Sequence, residues 1–302
     1  MQTQVALQQA SPVAKLAQMT NRGLFKTMRF ARRKPLGFLG LAICFVALVL
    51  GLLPGVFTTE DPNFGGNYVN ALQAPSTSHF FGTDEQGRDV YSRIVDGTRV
   101  SLKVAFFAIG IGSISGFLLG IVSGYFGGWV DMILQRIVDS MLAFPGILLA
   151  LTLVAVFGGG FKAVIIAIGI VFIPGALRIT RGTVLSAKEN VYVDASRVIG
   201  ASPLRIMLRH ILPNVLAPFL VVASAALGNA ILIEASLSFL GLGVPPPYPS
   251  WGRMLSGNAS QYAAVAPWMV FAPGIAISVL VLGFNLFGDA LRDLWDPRLR
   301  GR

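Results

Sequence analysis

The sequence predicts an all-α membrane protein with six transmembrane helices and with both termini on the cytoplasmic side. Hydrophobic residues make up 54% of the 302 residues and charged residues only 13%, whereas soluble domains carry roughly 25% charged residues. The apolar residues form runs of about 18 or more, the length that crosses a bilayer. Basic residues are concentrated in segments 1–35 and 178–214, whereas segment 58–98 is acidic, as expected for a multi-pass protein.

The net charge of +10 does not indicate a nucleic-acid-binding protein. The basic residues are interleaved with the apolar runs and form no single patch. Cys44 is the only cysteine and lies within an apolar run, so a disulfide or a cysteine metal framework is excluded. No cofactor or metal site is predicted.

Residues 1–35 form a basic segment, with seven Lys and Arg residues and no acidic residue. The apolar run after it is too long for a signal peptide, and Pro35 suits the first turn of a helix. Residues 36–57 are therefore predicted to be the first transmembrane helix. The positive-inside rule places the basic segment in the cytoplasm.

Residues 58–98 are predicted to form an extracytoplasmic loop, because they contain six acidic and two basic residues. Thr83 followed by Gln86 matches a capping box. This pair predicts the start of a helix that lies along the outer membrane surface and leads into the second span.

Residues 99–288 are predicted to hold five more transmembrane helices, followed by a cytoplasmic tail at residues 289–302. A run of three glycines precedes the fourth span, and Pro174 is expected to break that span. The expected spans are about 104–122, 140–157, 163–177, 215–232 and 267–287.

Four glycines in the second span recur at a spacing of four residues and share one helix face. Such a face lets another helix approach closely. The partner helix belongs either to the same subunit or to another one. The four residues are Gly112, Gly116, Gly120 and Gly124.

Few ionisable residues fall inside the predicted spans. Arg136 and Asp139 can pair on one helix face at the inner interface. Glu234 follows the fifth span at the outer mouth, where it either has a structural role or contacts a ligand. An ion-coupled secondary transporter needs ionisable groups at mid-membrane, and an intramembrane enzyme needs an acid, base or metal cluster. His79 and His210 are predicted on opposite sides, so neither class is favoured.

Residues 178–214 form the most basic segment of the second half, with six basic and two acidic residues, and are predicted to be cytoplasmic. Gly200 separates a helix over about 191–199 from a second helix, which begins with Ser202 as N-cap and Pro203 in its first turn. The second helix is amphipathic and about two turns long. The pattern allows it to rest on lipid headgroups or to dock on a cytoplasmic partner. Its apolar face consists of Leu204, Met207, Leu208 and Ile211.

The segment DASRVIGASPLRIMLRHILPN resembles the EAA loop of permeases of ATP-binding-cassette (ABC) importers. Three of its residues depart from the usual pattern: Asp194 replaces Glu, Ser196 replaces the second Ala, and His210 stands where Ile is usual, with Ile211 beside it. The matching residues are Asp194 (by charge), Ala195, Gly200, Leu212 and Pro213.

Further stretches are similar to the dipeptide/oligopeptide permease subfamily, and the similarity covers essentially residues 36–300. These stretches are HFFGTDEQGRDVYSR at 79–93, GYFGGWVD at 124–131, EASLSFLGLGVPPPYPSWGRML at 234–255 and FNLFGDALRDLWDPR at 284–298.

The resemblance implies a type I ABC importer permease fold and a subunit that translocates di- or oligopeptides across the bacterial inner membrane. It also implies a second, homologous permease as partner in a heterodimer, two cytoplasmic ATPase subunits and an extracytoplasmic substrate-binding protein. The chain has no G-x-x-x-x-G-K-[ST] phosphate loop, so ATP hydrolysis is expected on the partners and the chain itself is not an enzyme. Related permeases carry glutathione or nickel complexes, which remain alternative cargoes.

The resemblance further implies that the loop docks on the ATPases. The residues expected there are Asp194, Ala195, Ser196, Arg197, Gly200, Ala201, Ser202, Pro203, Leu204, Arg205, Leu208, Arg209, Ile211, Leu212 and Pro213.

Overall fold

The computed structural model describes residues 34–63, 68–256 and 261–295. In these residues the chain is helical apart from turns and loops, with a single isolated bridge between Thr83 and Asp89. Five helices are long and apolar enough to cross a membrane, or six if a sharply bent pair counts as one span. The predicted basic segment before Lys34 and the part of the predicted tail after Trp295 lie outside the described residues. Residues 289–295 of that tail continue the last helix.

The described helices are numbered here in chain order. They are α1 Pro35–Leu52, α2 Pro54–Phe57, α3 Val90–Phe126, α4 Gly128–Leu142, α5 Gly146–Val156, α6 Gly160–Lys188, α7 Val191–Val198, α8 Pro203–Ile206, α9 Leu212–Phe239, α10 Trp251–Leu255 and α11 Trp268–Trp295.

The first and last spans pack side by side and run in opposite directions. Gly40 of α1 lies against Leu286 of α11, and Lys34 Nζ is 2.8 Å from Asp293 Oδ2. The start of α1 and the end of α11 therefore share one end of the helix bundle, which we call the Lys34 end. The opposite end carries α10 and is called the Trp251 end.

The second span begins at a different cap from the predicted one. Asp89, not Thr83, is the N-cap of α3, and its side chain accepts a hydrogen bond from the Ser92 backbone N–H at 2.8 Å. The Thr83 hydroxyl instead donates to the Asn70 carbonyl oxygen. The capping-box prediction was wrong, because Asp84 closes a tight turn by accepting from the Gln86 and Arg88 backbone N–H groups.

In residues 83–89, which the structure describes, no separate helix precedes the second span. Helix α3 continues for 37 residues to Phe126, so the predicted surface helix is its first turns. A helix of this length extends about 55 Å at 1.5 Å per residue. It therefore continues beyond the roughly 30 Å apolar core of a bilayer.

The glycine face of α3 packs against α6 of the same chain. A Cβ atom at Gly112 would lie 2.3 Å from the Gly169 carbonyl oxygen, and one at Gly116 would lie 2.6 Å from the Ile173 carbonyl oxygen. Gly120 and Gly124 meet residues further along α6, so the two helices run parallel. Their contacts are Thr180 and Val184, respectively.

The predicted third span is two helices. Helix α5 has only 11 residues and is bent by 94° from α4, so the predicted segment 140–157 is not one continuous helix. The break falls at Pro145, which lacks a backbone N–H and disfavours helical geometry in the residue before it.

Helix α4 is held to α6 by ion pairs that differ from the predicted Arg136–Asp139 pair. Asp139 pairs with Arg178. Arg181 contacts both carboxylate oxygens of Asp131, each at 2.6 Å. The i, i+3 prediction failed because α6 supplies a better-placed arginine.

Helix α6 passes through Pro174 without a break and ends only at Lys188. The predicted break was therefore wrong, and residues 178–188 belong to this helix, not to the loop that follows. Proline is tolerated within a membrane helix where neighbouring groups satisfy the freed carbonyl.

The fifth span is also continuous with the helix before it. Residues Pro203–Ile206 are α-helical, Met207–Ile211 form a π-helical turn, and α9 follows directly at Leu212. Pro213 explains the wide turn, because it cannot donate the hydrogen bond that an α-helix needs at this position. The predicted separate two-turn helix is therefore the start of the span.

Hydrogen bonds join the loops and helices at the Trp251 end. The Trp251 ring N–H donates to the Ile94 carbonyl oxygen and the Trp268 ring N–H to the Thr83 carbonyl oxygen, both at 3.0 Å. Glu234 lies within α9 and is fully buried. Its carboxylate accepts from the Ser238 hydroxyl at 2.7 Å and from the Ser101 hydroxyl at 3.1 Å.

Candidate functional site

The loop after α6 has the two-part structure that its sequence indicates. Helix α7 covers Val191–Val198, and Gly200 follows with a φ of +78°, a backbone conformation that suits glycine. Ser202 then caps α8 by accepting from the Arg205 backbone N–H at 3.4 Å, with Pro203 in the first turn.

One side of this loop is buried against the body of the protein. Val193, Ile206 and Ile211 are at most 1% exposed. They belong to one apolar cluster with side chains from the ends of α3 and α6 and the start of α9. These side chains are Phe117, Ile121, Tyr125, Val184, Ala187 and Val215.

Hydrogen bonds join α7 to the chain that follows. The Ser196 hydroxyl donates to the Tyr192 carbonyl oxygen at 2.8 Å and lies 3.3 Å from His210 Nε2. The Asn214 side-chain amide donates to the Tyr192 hydroxyl at 3.1 Å. His210 is therefore partly enclosed between the two helices and is not a freely exposed surface residue.

The end of α6 is fixed as well. The Lys188 ammonium donates to the Tyr125 carbonyl oxygen at 2.8 Å, which satisfies a carbonyl at the end of α3. The same ammonium lies 5.8 Å from the Tyr125 ring centroid. The loop thus leaves from a joint that α3 and α6 share.

The other side of the loop exposes a group of large apolar side chains, which we call the docking surface. Scattered exposed apolar residues are common, but a group on one short segment marks an interaction site. Arg205 and Arg209 are exposed beside it. The apolar members are Val191 at 83% exposure, Val198 at 88%, Ile199 at 83%, Leu204 at 62% and Leu208 at 56%.

The predicted apolar face of the second helix differs from the observed one. Leu204 and Leu208 were grouped with Ile211, yet they are exposed while Ile206 and Ile211 are buried. The π-helical turn explains the difference, because its i→i+5 spacing brings Ile206 and Ile211 to one face.

Three members of the docking surface were missed by the sequence reasoning. Val191, Val198 and Ile199 are apolar residues within a basic, polar segment. The available signal was their spacing, because none of the three lies three or four residues from Val193, the buried apolar residue of α7.

The predicted site residues divide into exposed and enclosed groups. Ser196 and Ile211 are buried, and Ala201 and Leu212 are partly buried. Asp194 pairs with Arg197 at 2.8 Å on the exposed side of α7. The exposed members are Asp194, Ala195, Arg197, Gly200, Ser202, Pro203, Leu204, Arg205, Leu208, Arg209 and Pro213.

Glu234 and His79 belong to structural contacts at the Trp251 end. Glu234 has no exposed surface, and His79 Nδ1 lies 3.3 Å from the buried Asp89 carboxylate. Within the described ranges, no group of three or more His, Cys, Asp or Glu side chains is arranged to hold a metal ion.

Comparison with known proteins gives relatives along most of the chain. Residues 116–301 match the family model described as "Binding-protein-dependent transport system inner membrane component". The dipeptide transport system permease protein DppC of Alkalihalophilus pseudofirmus is 43% identical over 279 residues, which cover 92% of this chain and 90% of that protein. The glutathione transport system permease protein GsiD of Pectobacterium atrosepticum is 44% identical over 234 residues, 78% of this chain and 77% of that protein.

A solved structure shares the fold at lower sequence identity. A crystal structure of an amino acid ABC transporter with histidines aligns with a TM-score of 0.52 and 19% identity, and covers 68% of this chain and 94% of that one. The predicted type I importer fold is thereby confirmed. The chain belongs to the family of binding-protein-dependent transport system inner membrane components, and it is a multi-pass permease subunit of an ABC importer.

Proposed function

We propose that this permease translocates short peptides, with the energy supplied by two ATPase subunits that bind the docking surface. The relatives named for dipeptide and glutathione transport support a peptide cargo. A second, homologous permease completes the path, and a substrate-binding protein delivers the cargo on the opposite side.

The exposed apolar side chains of the docking surface are the observation that supports the ATPase contact. Val198 and Ile199 are more than 80% exposed, although the residues beneath them are buried and hydrogen-bonded. Burying a Val or Ile side chain contributes roughly 1.5–3 kcal/mol. A groove on a partner would bury these side chains, and its acidic residues would face Arg205 and Arg209.

The helices on both sides of the loop support a mechanical role. Helix α6 enters the loop and α9 leaves it, and each has 28 or 29 residues without a break. Each helix is about 43 Å long at 1.5 Å per residue. A shift of the docking surface would therefore move two complete spans.

The charge distribution supports a cytoplasmic Lys34 end. Segment 178–214 has six basic residues, and residues 1–35 have seven. Loop 58–98, at the Trp251 end, has an excess of four acidic residues, six against two. Positive charge is retained on the cytoplasmic side during insertion, so the ATPases would dock at the Lys34 end and the binding protein at the Trp251 end.

Reconstitution tests this function. The complete importer, in proteoliposomes with its binding protein, is expected to take up a dipeptide only when ATP reaches the ATPases. Leu204→Glu combined with Leu208→Glu should abolish uptake and release the ATPases on purification, because two charges would enter an apolar contact. Leu204→Met with Leu208→Met is the matched control and should retain both.

The alternative cargoes and energy source are distinguished in the same vesicles. Glutathione is the second candidate, because a relative is named for its transport. Uptake of glutathione or a nickel complex but of no dipeptide would replace the peptide proposal. Uptake driven by a proton gradient without ATPase subunits would support a secondary transporter.

A further inference from the structure

A cavity of about 790 Å³ lies between α3, α6, α9 and α11 in the half of the bundle near the Lys34 end. Pockets for small ligands usually have volumes of roughly 300–1,000 Å³ and mostly apolar walls with a few polar groups. The wall of this cavity is mostly apolar, with Val171, Phe172, Ile179 and Val221 among its residues.

Three exposed polar side chains interrupt the apolar wall: Asn229 on α9, and Asp289 and Arg292 on α11. In the part of the chain that the structure describes, none of the three has a side-chain hydrogen bond or an ion pair. Polar and charged groups within a bilayer are costly unless they face water or polar partners. This side of the helices is therefore suited to an aqueous path and not to lipid.

Among the described aspartates near this end, Asp289 differs from the others, which are all paired. Asp293 pairs with Lys34, Asp131 with Arg181, Asp139 with Arg178 and Asp194 with Arg197. Asp289 and Arg292 are opposite in charge and three residues apart on one helix. They leave a positive and a negative group open to the cavity.

The packing of α9 on α11 sets the spacing of these groups. A Cβ atom at Gly288 would lie 3.3 Å from the Ala225 backbone nitrogen, so these two positions are level. Asn229 is one turn from that level and Arg292 is one turn from it in the opposite direction. Asn229 and Arg292 are therefore about 12 Å apart along the bundle axis, at 1.5 Å per residue. This distance is close to the roughly 7–11 Å length of an extended chain of two or three residues.

We propose that this cavity is a transient binding site for a zwitterionic short peptide during translocation. Arg292 binds the terminal carboxylate, and the terminal ammonium group donates to the Asp289 carboxylate and to the side-chain oxygen of Asn229. The apolar wall accommodates side chains of varied size. This inference rests on the proposed peptide-transport function and adds residues of this chain that select for charged peptide termini.

Cysteine protection tests the site directly. Ala225→Cys, at an exposed position of the cavity wall that has no assigned contact with the peptide, is made in a Cys44→Ala background, and the complete importer is placed in lipid nanodiscs, where both faces are open to reagents. A water-soluble maleimide is expected to modify this cysteine at least tenfold faster than a cysteine at Ile166, which is exposed on α6 outside the cavity. A saturating dipeptide should slow the modification at least threefold, whereas the N-acetylated, C-amidated dipeptide should not.

Second-site variants identify the groups that bind the peptide. Asp289→Asn and Arg292→Gln should each remove protection without changing the rate in the absence of peptide. Asp293→Asn is the matched control, because Asp293 is on the same helix but pairs with Lys34 and does not line the cavity. Protection that persists in both cavity variants would overturn the assignment of these charges.

Uptake of the same dipeptide by the same preparation separates this inference from the proposed function. Uptake with neither protection nor faster modification at position 225 would overturn the binding site alone. Loss of both uptake and protection would overturn the peptide cargo and the site together. Uptake with charge-dependent protection supports both.

Discussion

The two ends of the helix bundle differ in which side chains are buried and which are exposed. At the Trp251 end, charged and hydroxyl groups are buried and bonded to one another. At the Lys34 end, the docking surface leaves large apolar side chains exposed on a loop whose base is well packed. The difference separates an end whose polar groups are paired within this chain from the end at which we propose that the ATPases bind.

The Trp251 end contains a network of buried polar groups that are bonded to one another. Asp89 is 3% exposed, and its carboxylate accepts from Thr59, His79 and the Ser92 backbone N–H at 2.8–3.3 Å. The buried Arg93 donates to the Pro62 carbonyl oxygen at 2.8 Å. Such a network fixes loop positions, because an unmatched buried group would cost about 1–3 kcal/mol.

The docking surface has the reverse arrangement. Val193 and Ile206 are buried beneath the loop and fix its position. Val198 and Ile199 remain more than 80% exposed in this chain alone. Exposed apolar side chains held by a fixed base are suited to a contact that forms without further ordering of the loop. We therefore expect substitutions at the two ends to have different effects, on coupling at one and on stability at the other.

The largest effect is expected for Gly200→Glu. No atom lies within 4 Å of the Cβ position, but a φ of +78° disfavours any L-residue, at a cost of about 1–2 kcal/mol, and the charge enters the docking surface. We expect at least about a 100-fold loss of ATP-dependent uptake with normal membrane insertion, since 2.7 kcal/mol of lost docking corresponds to about 100-fold.

Gly200→Asn is the matched control for this position, because asparagine tolerates the left-handed conformation and carries no charge. It should retain most of the uptake. Normal ATP-dependent uptake by the Gly200→Glu protein would contradict the coupling role of the loop.

Asp194→Lys should have a smaller but clear effect on coupling. The Asp194–Arg197 pair is exposed, so its loss changes stability by less than about 1 kcal/mol. We expect about a tenfold fall in uptake with an unchanged melting temperature, because the reversed charge faces the partner. Asp194→Glu should retain uptake, and a fall in stability equal to that in uptake would indicate a structural role only.

Glu234→Ala tests the Trp251 end. The substitution removes the shared acceptor of the Ser101 and Ser238 hydroxyls in a fully buried site. We expect a loss of about 1–3 kcal/mol in stability, measured by thermal unfolding of the purified complex. Uptake per folded complex should fall less than threefold, and Glu234→Gln, which keeps an acceptor, should lie nearer the wild type.

A selective loss of transport in a stable Glu234→Ala complex would remove the contrast between the two ends. It would show that the buried carboxylate takes part in the transport cycle.

The smallest effect is expected from cysteines that report sidedness. In a Cys44→Ala background, Thr77→Cys and Glu189→Cys replace exposed residues at the Trp251 and Lys34 ends, and uptake should remain near the wild-type level. A membrane-impermeant label added to intact cells should react at position 77 and not at 189. The reverse labelling would invert the proposed orientation.

Much of the fold was predictable because span length and composition are properties of local sequence. The first helix, the position of Gly200 as a separator and the Ser202–Pro203 helix start were all confirmed. Each depends on a few neighbouring residues. The prediction of an importer permease was likewise confirmed, through motifs that extend along the chain.

The failures share a physical cause, which is that helix boundaries depend on contacts between distant residues. Thr83 and Asp89 both satisfy the pattern of an N-cap, and Asp89 prevails because the Asp84 carboxylate closes a tight turn with the backbone N–H groups of Gln86 and Arg88. Asp139 pairs with Arg178 and not with nearby Arg136 because α6 packs beside α4. Pro174 was expected to break its helix, but packing against α3 maintains it.

The sequence by itself determined the membrane class, the number of apolar runs, the charge of each connecting segment and the division of the loop at Gly200. Local composition and backbone preference are sufficient for these features. Only the tertiary structure decided which apolar residues of the loop are exposed and which helix receives the glycine face. It also decided that Asp289 and Arg292 open onto a common cavity. Those outcomes depend on the packing of α3, α6, α9 and α11, where residues more than a hundred positions apart become neighbours.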